Sequence, residues 1–131
     1  MRLVPLCCVV LLATQAAPVP AQTATRAPLP IIDVPFLSQS ELLCGGAAAA
    51  MVLRYWGERE LSAEAFAHLV DRSAAGIRTD ALVAELRRRG WNVLGVAGDE
   101  DAVRAELTQG RRVLMLIEDR PSVFHYVVTV A

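Results

Sequence analysis

The residues best suited to chemistry stand at the start of one helix and near the end of the chain. Cys44 precedes Gly45, Gly46 and an alanine-rich run that stops at Gly57, so it falls where the first turn of a helix begins. The first N–H groups of a helix lack intrahelical partners, and with the helix dipole they favour negative charge, here a thiolate. A thiol nucleophile also needs a base to take and return a proton. Only two histidines exist, His68 and His125.

His125 opens a β-branched run beside a turn, where a side chain can face a groove at a sheet edge. His68 lies in a helical segment, about 110° from its apolar centre at roughly 100° per residue, which predicts a surface position. His125 is the better base. Read as an ordinary strand residue, it would instead be half-buried and bonded to backbone. Gln39, in the turn before Cys44, carries an amide able to donate to a developing oxyanion beside the Cys44 N–H. Read plainly, a turn glutamine is just solvated. A triad also needs an Asp or Asn to orient the histidine, yet none follows His125, and Asp119 sits on a turn.

Residues 1–21 read as an export signal, with Arg2, an apolar run over 3–13 and a small-residue cleavage site at Val19, Pro20 and Ala21. The run is too short for an ordinary membrane span, and an uncleaved N-terminal anchor is the alternative and the sole membrane contact expected. Cys7 and Cys8 lie inside it, so cleavage leaves Cys44 as the single thiol of an exported protein in a disulfide-forming compartment. Such a cysteine is either reactive or a small buried apolar residue on a helix. Composition weights the two about equally.

A net charge of −1 argues against a nucleic-acid partner, which a basic face would attract. Two histidines and one mature cysteine do not make a zinc site, and Gly45-Gly46 lacks the Lys-Ser/Thr of a phosphate loop. No metal or cofactor is expected.

At 131 residues the chain suits one domain. Residues 22–30 read as a linker, and 31–37, with Pro35 inside, as an edge or irregular strand. The helix from Cys44 to Trp56 sets Cys44, Ala47, Ala48, Met51, Val52 and Tyr55 on one face and should be the central buried helix. A second helix is predicted over 62–71, capped by Ser62 and burying Leu61, Ala65, Phe66 and Leu69. A third spans 80–89 behind Thr79 as cap, with Leu82, Val83 and Leu86 inward, and Arg87, Arg88 and Arg89 form a solvated basic end. Residues 91–96 read as a strand. Asp99 caps a fourth helix running to Gln109, with Val103 and Leu107 inward. Residues 113–117 read as a buried strand, 118–122 as a polar turn and 124–130 as a last strand. Helices first and strands last predict an α+β fold, helices packed on a small antiparallel sheet.

The run VPFLSQSELLCGG, followed by AAAAMVLRYWG and a distant HYVVTV, resembles the bacteriocin-processing cysteine peptidase family. This is the papain-like domain at the front of double-glycine leader-peptide exporters and in stand-alone exported proteins. The likeness covers residues 34–130. It implies a papain-like fold with a central N-terminal helix, a peptide or protein substrate, Gln39 in the oxyanion hole, Cys44 as nucleophile and His125 as general base. The family cleaves a peptide bond through a thioester, in leader peptides after a Gly-Gly pair. Two departures stand out. The family carries Pro where Gly46 stands, which predicts a looser helix start here. Its orienting Asp lies on a strand beyond His125, so the resemblance implies a domain over 31–131 that is incomplete at its C-terminus, with more chain beyond. The alternative it leaves is a weak or inactive peptidase-like domain that binds peptides.

Overall fold

The computed structural model of the chain describes residues 28–29, 31, 33–38 and 40–130. The expected export signal, most of the expected linker and Gln39 lie outside the described residues. Among the described residues no helix is long and apolar enough to cross a membrane, and residues 31 and 33–38 form no strand.

The first helix, α1 (Cys44–Tyr55), is the hub of the fold. Ala47 to Ala50 are at most 1 % exposed and Leu53 is 3 % exposed. Alanine keeps the helix thin, so other backbone can approach it closely. A Cβ placed on Gly46 would meet the Ala63 carbonyl oxygen at 2.8 Å. The helix start is therefore clamped at Gly46, and the looseness expected of a glycine there is not seen. Nor is there the single expected stripe: Gly45, Gly46 and Ala49 are buried, while Tyr55 is 37 % exposed. A helix packed from several sides in its first two turns has no one apolar face. Gly57, at φ 111°, turns the chain out of the helix.

The expected second helix is instead a 3₁₀ helix, Ala63–Leu69, followed by a short strand. It buries Phe66 completely, with Leu61, Ala65 and Leu69 packed around the core. Asp71 ends it early, because its Oδ1 accepts from the Ser73 N–H at 2.9 Å and the Ser73 hydroxyl at 2.6 Å. That local turn competes with continued helix. The chain doubles back as β1 (Val70–Asp71) against β2 (Gly76–Ile77), an antiparallel ladder pairing Val70 with Ile77.

The second α-helix, α2 (Thr79–Arg88), buries Leu82 and Leu86 as its periodicity predicts. Thr79 is its first residue and not its cap. The basic end is also more than a solvated surface. Arg88 Nε and Nη2 and Arg89 Nε donate to the carboxylate of Glu85 at 2.8, 2.7 and 2.8 Å, and Glu85 is only 5 % exposed. The Arg88 hydrogen bonds, helped by Arg89, hold the Glu85 carboxyl down to about 2 against the opposing effect of burial. The Arg89 guanidinium also lies 4.7 Å from the Phe66 ring centre. His68 is at the surface as predicted, with Nε2 3.8 Å from Glu85.

Residues 91–96 form no strand. Arg87 Nη2 donates to the Val93 carbonyl at 3.0 Å, and Trp91 Nε1 to Glu58 at 2.7 Å, so side chains tether this stretch where a ladder was expected. Asp99 does cap α3 (Glu100–Thr108), accepting from the Ala102 N–H at 2.8 Å. Leu107 faces in.

The last elements are a hairpin, β3 (Val113–Arg120) and β4 (Val123–Thr129). Residues 118–120 continue the strand, so the polar turn shrinks to Pro121 and Ser122. Leu114 pairs with Val128 and Leu116 with Tyr126, which sets these four on one face of the sheet. Its inner part, with Leu114, Val128 and Tyr126, packs on α1. Burial is confined to that part: Val113 is 8 % exposed, but Leu116 is 46 % exposed because the hairpin outruns the helix. Helices around a small antiparallel sheet make this an α+β fold, compatible with a papain-like one.

Candidate active site

Cys44 is the first residue of α1. Its predecessor Leu43 supplies no side-chain cap, and the first turn holds no acidic residue, which leaves its N–H groups suited to an anion. The thiol is free and half-buried. It opens onto a hollow of about 520 Å³ whose other walls include Thr79, Asp80, Leu116, Phe124 and Tyr126, with the tip of the β1–β2 hairpin closing one side. The start of α2 thus faces the same space as the start of α1. Leu116 and Phe124, 46 % and 57 % exposed, make one wall apolar. At the rim Arg78 Nε lies 3.3 Å from Asp80, which partly offsets the single carboxylate.

Tyr126 joins these parts. It is 7 % exposed, and its ring sits so close to α1 that a Cβ on Gly45 would lie 3.1 Å from Cδ2. Its hydroxyl lies 2.7 Å from Thr79 Oγ1. Burial pushes the Tyr126 phenol up, the Thr79 hydrogen bond opposes that, and negative charge at Cys44 and Asp80 adds to the rise. The phenol therefore keeps its proton at neutral pH and remains a donor.

His125 is half-buried and pairs across the ladder with Ile117. Side chains alternate along a strand, so it leaves the sheet on the face opposite Tyr126 and is not a wall of the hollow. Among the described residues no hydrogen bond or ion pair joins it to Cys44. The hollow brings Cys44 together with Tyr126 and Thr79; Gln39 lies outside the described residues. Asp119 is on β3 next to the turn, 3.3 Å from its neighbour Arg120. Among the described residues no cluster of three or more His, Cys, Asp or Glu is placed to hold a metal ion.

The profile of the Peptidase_C39 like family matches residues 31–131, well over half of the chain. The chain belongs to that family. Its function is accordingly related to that of cysteine peptidases, and its broad class is peptidase. No curated protein and no solved structure matches. For this member of the Peptidase_C39 like family, residue patterns alone pointed to Cys44 but passed over Tyr126 and Thr79. A signal for Tyr126 was present. A tyrosine leading into the Val127-Val128 pair of a strand tends to be buried, and a buried hydroxyl needs a partner. Thr79 looked like a helix cap, and its hydroxyl went to Tyr126 instead.

Proposed function

We propose that the chain is an exported cysteine-type peptidase in which the Cys44 thiolate attacks a substrate peptide carbonyl. The observation that carries this reading is the thiol at the first turn of α1, opening onto a hollow large enough for a peptide side chain. Sulfur adds to the carbonyl carbon, and the oxyanion is met by N–H groups at the helix start, with Gln39 as a second donor. Collapse expels the amine, which takes a proton from the base, and water hydrolyses the thioester. His125 is the base in this proposal, which requires its ring to reach the thiol around the strand.

A second reading is a domain that binds peptides with little or no turnover. The position of His125 outside the hollow favours it. The separating experiment is iodoacetamide alkylation of Cys44 as a function of pH, with and without His125→Ala. Fast alkylation in mildly acidic buffer that disappears in the variant supports the peptidase. An ordinary thiol profile, indifferent to the substitution, supports the binding domain.

A further inference from the structure

Tyr126, on β4, touches the starts of both α1 and α2. Its ring presses on Gly45, next to the thiol-bearing residue, where an added Cβ would lie 3.1 and 3.2 Å from Cδ2 and Cε2. Its hydroxyl reaches the first residue of α2, 2.7 Å from Thr79 Oγ1. At 7 % exposure the ring has little room to turn. One rigid side chain therefore spans the two helix starts that flank the hollow.

The pair also leaves something over. Two hydroxyls share one hydrogen bond, so one of their two protons is uncommitted. Tyr126 is buried and Thr79 is exposed at the wall of the hollow. Either hydroxyl can donate, and the arrangement in which the buried Tyr126 proton goes to Thr79 leaves the Thr79 proton free to turn toward a bound peptide carbonyl. Phenylalanine would fill the same volume, so packing alone does not account for the hydroxyl.

Resting on the reading of Cys44 as nucleophile, we propose that Tyr126 is a positioning residue of this site, setting the thiol against a peptide held at the Thr79 wall. Misplacing reacting groups by about 1 Å can cost roughly a hundredfold in rate, so the spacing held by Tyr126 matters even though it touches no reacting atom.

The test uses the full chain and two reagents that both form a thioether at Cys44 with loss of halide. Iodoacetamide is small and reports the thiol itself. A Gly-Gly chloromethyl ketone must also lie along the wall. Tyr126→Phe and Thr79→Val are each expected to slow the chloromethyl ketone by roughly tenfold or more with the iodoacetamide rate held. Thr79→Ser restores the rate, and the double variant is no slower than either single one. An unchanged ratio of the two rates, or a parallel fall of both, overturns the proposal while leaving the nucleophile reading in place. A wild-type thiol that reacts with both reagents as an ordinary thiol removes the nucleophile reading, and this proposal with it.

Discussion

The Ala63 carbonyl oxygen stands over the Cα of Gly46, where an added Cβ would lie only 2.8 Å away and 3.0 Å from the Phe66 Cβ. Alanine would gain up to about 1 kcal/mol of helix propensity at this position. Backbone and a buried ring cannot give way easily, so overpacking wins, at about 1–3 kcal/mol. Gly46→Ala is therefore expected to lower the urea midpoint without changing the slope. Gly46→Pro meets the same carbonyl and is expected to lower it as well.

Glu85 makes stability depend on pH in a known direction. Its folded-state value of about 2 is below the ordinary 4.5. The stabilisation is thus full above about pH 4.5 and is lost as the pH falls toward 2. Arg88 is 70 % exposed, so solvent screens much of the pairing, and Glu85→Gln is expected to cost only about 1–2 kcal/mol at pH 7. Urea midpoints at pH 7, 4 and 3 test this, the gap between wild type and variant closing at the acid end.

Phe66 is the largest fully buried side chain described, wedged between Gly46 and the Arg89 guanidinium. Phe66→Ala leaves a cavity beside the most rigid part of α1 and is expected to cost about 3–5 kcal/mol. Thermal unfolding followed by circular dichroism measures it.

Cys44 is half-buried at a helix end, so Cys44→Ala is expected to cost less than about 1 kcal/mol of stability. Peptide turnover is expected to fall by about 10⁴-fold or more. A well-folded variant with unchanged turnover would remove Cys44 from the chemistry.

Local signals were legible where chemistry and backbone agree. The alanine run fixed α1 to within a residue at its far end, the Asp99 cap formed as written, and the β-branched runs became β3 and β4. Reading failed where a side chain found a better partner than the local pattern suggests. Asp71 folds onto Ser73 and ends a helix whose periodicity continues, and Arg87 ties down Val93 where a strand was expected. Spacing along the chain also placed Cys44 and His125 in one reaction without showing which face of β4 His125 takes. Alternation gives the hollow to Tyr126, a property of register that only the pairing with β3 reveals.

The two sides of the hollow differ in how they are built. The thiol stands on a helix whose Ala47 to Ala50 are sealed at 0–1 % exposure, while residues 72–75 of the opposing β1–β2 tip are exposed beyond a ladder of two residues per strand. Proteins open first where few apolar contacts hold the backbone. Warming would then loosen that one edge of the hollow while the helix under Cys44 is still intact. For the peptidase proposed above, selectivity for peptides would fade at a lower temperature than helical order, leaving an accessible thiol that no longer chooses what it reacts with.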